Sequence, residues 1–315
     1  MSASAMTRGA GPHGTLGRSA FVVSITPFDG NGELDEPALR AHFARMRDAG
    51  IGVYVGGGGS GEGYTLTTAE HERVLTIAAD ALAGTAPVRA MGVEPRTATQ
   101  MIEYVQLAAE TGVDACQIYS LDPGHGHRPT TAEVEAYFLA VVEAAAYPMV
   151  LSTHLSVGYR VAPSFLRTLV DNHDHVVGVN CTHPDLGYLD DVIDAVGHRA
   201  AVHVGGPRDA LTALAFGAQG FLSSEANLAP RLCARVIEAT DAGRFDDAAD
   251  AYATLARLSR VLYQHGGIRV TKPVLQRLGL PGGTVRAPQF VAQQDAVDAV
   301  LRAIDSLDIA AVEGW

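Results

Sequence analysis

The chain has 315 residues and a formal net charge of −12. Nucleic-acid backbones are bound by clustered Lys and Arg side chains, so this acidic balance excludes nucleic acid as a partner. With 47% hydrophobic and 18% charged residues, the composition is that of a folded globular protein rather than a disordered chain. No apolar run reaches the ~20 residues of a membrane-spanning helix, so we expect no membrane partner and a cytoplasmic location.

The first segment, residues 1–18, is rich in Gly and Ser and has no hydrophobic period. It lacks the apolar core of a signal peptide, and we predict a flexible N-terminal tail. The three cysteines, Cys116, Cys181 and Cys233, are irregularly spaced. Their odd number indicates reduced thiols rather than a disulfide framework.

Short β-branched runs then alternate with longer stretches of helical apolar spacing, which is typical of βαβ units. Eight such units over residues 19–226 predict an α/β fold, a (β/α)8 TIM barrel. Residues 227–315 are nearly all helix-forming and predict a C-terminal helical extension that includes the last barrel helix. The predicted strands are Phe21 to Ile25, Gly52 to Gly56, Val88 to Val93, Ala115 to Tyr119, Met149 to Ser152, Val176 to Asn180, Ala201 to Val204 and Gly220 to Ser223.

A glycine-rich turn, Gly57-Gly58-Gly59-Ser60-Gly61-Glu62, follows the second predicted strand. Glycines allow backbone N–H groups to approach an anion, and Ser60 adds a hydroxyl donor. A tight turn without a ligand would have the same composition. We favour an anion site, because active sites of such barrels lie at the carboxyl ends of the strands. The predicted substrate-binding residues here are Gly59, Ser60, Gly61 and Thr26.

Five segments carry a resemblance to a known family. They are Ile25-Thr26-Pro27-Phe28, the Gly-Ser-Gly-Glu turn, Gly217-Ala218-Gln219-Gly220, Ala226-Asn227-Leu228-Ala229-Pro230 and Val270-Thr271-Lys272-Pro273. The chain resembles the dihydrodipicolinate synthase and N-acetylneuraminate lyase family of class I aldolases over nearly its whole length. The resemblance implies a lyase that acts on a small carboxylated substrate, a carboxylate site at the glycine-rich turn, and a homo-oligomer, either a dimer or a tetramer.

The chain departs from the family at its reactive positions. Where related enzymes end the sixth strand with a Schiff-base lysine, this chain has Asn180, and Lys272 is the only lysine in the sequence. Ser152 occupies the position of the family's catalytic tyrosine, and the arginine that follows it there is unmatched. Because an amide has no nucleophilic amine, the resemblance implies an enzyme that works without an imine.

Polar residues gather after the predicted strands, and two mechanisms are open for them. The first is a divalent metal, Zn, Mn, Fe or Co, acting as a Lewis acid. Its candidate ligands are His125, His127, His154 and His183. The second needs no cofactor: His154 or a neighbouring histidine moves a proton, and Asn180, Ser152 and Ser60 donate hydrogen bonds to an oxyanion.

Further candidates stand around the same strand ends. His125, His127 and Glu225 are further catalytic candidates, and Cys181 and His203 are candidate substrate-binding residues. Any one of these histidines could equally be an ordinary loop or rim residue, and Cys181 could be a nucleophile or a small core residue.

The sequence therefore predicts a lyase of the aldolase or hydro-lyase type, acting on a small carboxylated carbonyl substrate without a lysine Schiff base. A non-catalytic ligand-binding barrel remains an alternative, because the family's reactive residues are lost together. A recruited cyclase, isomerase or hydrolase activity is the other alternative.

Overall fold

The computed structural model of the protein describes residues 17–154 and 158–315. Apart from Gly17 and Arg18, the predicted N-terminal tail lies outside the described residues. Eight parallel strands pair in chain order, and β8 closes onto β1, which confirms the predicted (β/α)8 barrel. The strands are β1 Ser19–Val23, β2 Gly52–Val55, β3 Val88–Ala90, β4 Ala115–Ile118, β5 Met149–His154, β6 Val176–Thr182, β7 Ala201–Gly205 and β8 Gly220–Ser223.

Helices connect consecutive strands and cover the outside of the barrel. Helices α1 to α7 are Glu36–Asp48, Thr68–Leu82, Ala98–Thr111, Thr131–Ala144, Pro163–Asn172, Leu186–Val196 and Ala210–Phe216. Helices α8 to α12, which follow the last strand, are Pro230–Asp241, Phe245–Gln264, Ile268–Arg277, Gln294–Ser306 and Ile309–Glu313. The helical extension predicted after the eighth strand is thus present.

Local sequence signals explain where several helices begin. The Asp35 carboxylate accepts the backbone N–H of Ala38 and caps α1. Thr67 and Glu70 form a reciprocal capping box at the start of α2, and Thr130 and Glu133 do the same for α4. These helices bury their apolar faces against the barrel, so their start points set the lengths of the loops that precede them.

The strands present alternate side chains to the barrel interior and to the helices. Along β6, Asn180 faces the interior, whereas the neighbouring Val179 and Cys181 belong to the buried apolar core. Lower in the interior, the ring of Phe21 packs against His203 at 5.2 Å between ring centroids. The guanidinium of Arg89 lies 4.3 Å above the same phenylalanine ring. The interior is therefore filled at its amino-terminal end and open at its carboxyl end.

The C-terminal extension returns to the open end of the barrel. The end of α9 and the turn before α10 bring Tyr263, Gly266 and Gly267 to the mouth of the interior. No helix in the two described ranges is long and apolar enough to cross a membrane.

Candidate active site

A cavity of about 670 Å³ opens at the carboxyl ends of the strands. Its size suits a small ligand. Strands β5 and β6 run side by side, with Ser152 opposite Asn180 and His154 opposite Thr182, and all four side chains line the cavity. The other polar or charged residues in the lining are Ser60, Glu94, Gln117, Tyr119, Ser224, Tyr263, Thr271 and Gln289.

The floor of the cavity is a hydrogen-bonded network around Asn180. The amide nitrogen of Asn180 donates to the hydroxyl of Tyr54 at 2.9 Å and to Oε1 of Gln117 at 2.5 Å. Arg89 donates to the same tyrosine hydroxyl at 2.9 Å. Both donors of the amide are thus engaged, and its Oδ1 is buried without a partner among the described residues. Asn180 therefore offers an acceptor rather than the oxyanion donor that the sequence suggested.

His154 is the imidazole that lines the cavity. Burial lowers its pKa below the ordinary value of 6.5, and the nearby charge of Glu94 partly opposes that shift. The imidazole is consequently neutral at pH 7, as a general base requires. Burial and the same glutamate raise the pKa of Tyr119, whose phenol stays protonated. A base and a hydroxyl donor thus share one wall with a carboxylate.

The glycine loop (residues 57–61) forms another part of the wall through Gly58, Gly59 and Ser60. In the described part of the chain, the backbone N–H groups of Gly59 and Ser60 have no acceptor. Thr26 and Gly61 lie behind the loop instead of lining the cavity, and the hydroxyl of Thr26 donates to the carbonyl of Gly61 at 2.8 Å. The loop can therefore accept an anion, and Thr26 supports it from behind.

Lys272 does not line the cavity. Its ammonium group is fully buried and paired with the carboxylate of Glu62, directly after the glycine loop. It also donates to the carbonyls of Thr26 and Thr284 at 2.7 and 2.8 Å. Burial lowers its pKa to about 8, while Glu62 opposes the shift. With all three ammonium donors engaged, Lys272 anchors the loop to the extension.

Two candidate histidines lie away from the cavity. His125 and His127 are exposed on the loop after β4, and neither lines the cavity. His125 has a positive φ of 53°, and the N–H of His127 donates to Gly124 within the same turn. This loop leaves both imidazoles exposed to solvent, which the sequence could not show.

His183 and His203 are buried, but they too lie outside the cavity lining. The Nδ1 of His183 accepts the backbone N–H of Asp185, which fixes the turn into α6. His203 lies lower in the barrel, with its Nε2 2.9 Å from the hydroxyl of Ser19. Burial lowers its pKa to about 3, so this imidazole is a neutral part of the packed interior.

Glu225 and Cys181 also have structural surroundings. The carboxylate of Glu225 accepts hydrogen bonds from the hydroxyls of Ser223 and Ser259 at 2.7 and 2.5 Å, and it does not line the cavity. Cys181 points away from the cavity, because it neighbours Asn180 on an alternating strand. Burial raises the pKa of its thiol to about 11, which is the opposite of what a nucleophile needs.

The described residues also bear on the metal hypothesis. Within the two described ranges, no three His, Cys, Asp or Glu side chains are placed so that they could hold a metal ion. Of the four candidate ligands, only His154 lines the cavity. The donor set therefore does not fit a divalent metal, and no catalytic step is assigned to one.

Sequence reasoning did not select several lining residues. Gln117 could have been found, because it is a polar residue in a buried strand and stands two positions before Tyr119 on the same face. Tyr263 and Gln289 had no such signal, because they reach the cavity only through the path of the extension. Glu94 follows β3, and its proximity to His154 depends on the barrel closing.

A parallel eight-stranded barrel with a polar cavity at the carboxyl ends of its strands defines an enzyme-type site. The sequence model described as the dihydrodipicolinate synthetase family matches residues 17–307. The chain belongs to this family, and it is therefore a lyase-type member of the aldolase superfamily.

Individual relatives agree with this assignment. The chain is 32% identical over 295 residues to a 4-hydroxy-tetrahydrodipicolinate synthase from Rhizobium meliloti, covering 90% of this chain and 97% of the relative. A synthase of the same name from Methanopyrus kandleri is 29% identical over 287 residues, covering 90% and 94%. The solved dihydrodipicolinate synthase DapA-2 from Bacillus anthracis superposes with a TM-score of 0.84 at 23% identity, covering 92% and 98%.

Proposed function

We propose that the protein is a lyase that cleaves or eliminates a small carboxylated carbonyl substrate without a lysine imine, with His154 as the group that moves the proton. The proposal rests on the replacement of the family's lysine by other reactive groups in the cavity. The end of β6 presents the amide of Asn180, whereas the only lysine of the chain, Lys272, is buried in an ion pair outside the cavity. A neutral imidazole lines the cavity two strand positions from Ser152.

Each lining group has a role in this proposal. The unpaired N–H groups of Gly59 and Ser60 would hold the substrate carboxylate. His154 would take the proton of the substrate hydroxyl while the adjacent carbon–carbon bond breaks and its electrons move to the carbonyl oxygen. The imidazolium would then return the proton to the enolate carbon. The hydroxyls of Ser152 and Tyr119 would donate to the developing oxyanion in place of the engaged Asn180 donors.

Proton exchange next to a carbonyl tests this proposal without the natural substrate. The protein would be incubated in D₂O with pyruvate, 2-oxobutyrate, succinic semialdehyde and 4-oxopentanoate, and deuterium incorporation followed by NMR. We expect catalysed exchange in at least one compound. His154→Gln should lower it by about 10²–10⁴-fold, the usual contribution of a general base. His198→Gln, at an exposed position after α6 and outside the cavity lining, is the matched control.

Two outcomes would contradict the proposal. Unchanged exchange in His154→Gln would exclude this imidazole as the base. Saturable binding of the four compounds without any exchange in the wild type would favour the non-catalytic ligand-binding barrel.

A further inference from the structure

The carboxylate of Glu94 lies beside the anion-binding part of the cavity. A Cβ atom added to Gly58 would lie 3.5 Å from Oε2 of Glu94. Gly58 directly precedes Gly59 and Ser60, whose N–H groups have no acceptor in the described part of the chain. A negative charge and backbone N–H groups that can donate to an anion therefore lie next to each other on one wall of the cavity.

The described lining contains neither Lys nor Arg, and its one imidazole, His154, is neutral at pH 7, so no permanently charged cation in the lining offsets that carboxylate. A ligand carrying only a carboxylate would be repelled by Glu94 when it reached the loop. A ligand with an ammonium group next to its carboxylate would fit both Glu94 and the glycine loop. Its ammonium group would face Glu94, and its carboxylate would face the N–H groups of the loop.

Hydrogen bonding at the cavity floor also favours a ligand with an ammonium group. Asn180 is 2% exposed, lines the cavity, and keeps Oδ1 without a partner in the described residues. A buried acceptor of this kind is costly until a donor reaches it. A 2-oxo group brings only acceptors to an amide oxygen, whereas a 2-amino group brings donors.

We propose that the cavity recognises an α-amino acid, with its carboxylate on the glycine loop and its ammonium group against Glu94. The inference rests on the proposed carboxylate-binding role of the loop. It deepens that function by naming the substrate class. The 2-amino group takes the place of a 2-oxo group, so the carbonyl that accepts electrons lies farther along the substrate.

Three acids with one carbon skeleton test the proposal: pyruvate, lactate and alanine, each enantiomer separately, differ only at C2. Ligand-observed NMR titration would give their Kd values for the intact protein. We expect one enantiomer of alanine to bind at least ten times more tightly than pyruvate. Glu94→Gln should weaken alanine at least tenfold and strengthen pyruvate, whereas Glu94→Asp should retain the preference. Exposed Glu110→Gln on α3 removes the same charge elsewhere and should change nothing.

The contradicting results separate the inference from the proposed function. Tighter binding of pyruvate than of alanine, weakened by Ser60→Ala, would overturn the amino-acid assignment and leave the carboxylate site standing. It would mean that the Asn180 amide presents its nitrogen to the ligand. Equal binding of lactate and alanine, unchanged in Glu94→Gln, would overturn the ammonium contact. If none of the acids binds, both the inference and the carboxylate site fail.

Discussion

Replacing Lys272 by methionine tests whether the only lysine of the chain is structural. The change keeps the length of the side chain but leaves the carboxylate of Glu62 buried without its cation. It also removes the donor to the carbonyls of Thr26 and Thr284. Breaking a buried ion pair from one side costs about 3–5 kcal/mol. We expect Lys272→Met to lower the free energy of unfolding by about that amount.

A double-mutant cycle identifies the source of the loss. Glu62→Gln removes the charge but keeps an acceptor for the backbone N–H of Arg286, which donates to Glu62 at 2.9 Å. The double variant should therefore lose about 1–3 kcal/mol less than the sum of the two single losses. Urea unfolding at fixed protein concentration measures all four proteins.

Arg277→Met on the same helix is the matched control. Arg277 lies 4.0 Å from Asp298 in an exposed pair, and its replacement should change the free energy of unfolding by less than about 1 kcal/mol. A loss of under about 1 kcal/mol in Lys272→Met, or simple additivity in the cycle, would refute the anchoring role.

The remaining predictions concern the base, the loop and the metal. The rate of proton exchange should fall as the pH drops through the pKa of His154, which burial holds below 6.5. Glu94→Gln should lower the midpoint of the pH–rate profile further, because the charge of Glu94 raises that pKa. A midpoint above 6.5 would contradict this prediction. Gly61→Ala should lower the free energy of unfolding by about 1–3 kcal/mol, because the added Cβ would lie 2.8 Å from the carbonyl oxygen of Gly57. Gly59→Ala is the control, because its Cβ would have no atom within 4 Å, and it should cost less than about 1 kcal/mol in the same urea assay. Dialysis against a chelator should leave the exchange rate unchanged, and loss of exchange restored by one divalent metal would refute the cofactor-free mechanism.

The sequence predicted the fold well, because periodic signals determine it. Eight strand segments were each recognised within a few residues of their position in the barrel. The first predicted strand, Phe21 to Ile25, was displaced toward its carboxyl end relative to β1, Ser19–Val23. Pairing of Ser19 with Gly220 on β8 determines that boundary, and such pairing is not visible in a local window.

The cavity was predictable only in part. Ser60, Ser152, His154 and Asn180 line it because they stand at strand ends or in the glycine loop, and the barrel brings these together. His203 stands on a strand as well, but its imidazole packs against Ser19 and Phe21 in the filled part of the interior and does not line the cavity.

Two further properties depend on tertiary structure. The direction of the loop that carries His125 is set by its packing and by a positive φ. The engagement of both Asn180 donors depends on Tyr54 and Gln117, which lie on two other strands.

Borohydride trapping tests the central claim, lyase chemistry without an imine, most directly. The protein would be incubated with pyruvate, and separately with the most active compound of the exchange panel, reduced with sodium borohydride, and analysed by intact-protein mass spectrometry. We predict catalysed proton exchange with no covalent adduct. An adduct that maps to Lys272 and disappears in Lys272→Met would contradict the account, because it would show that the buried amine forms an imine.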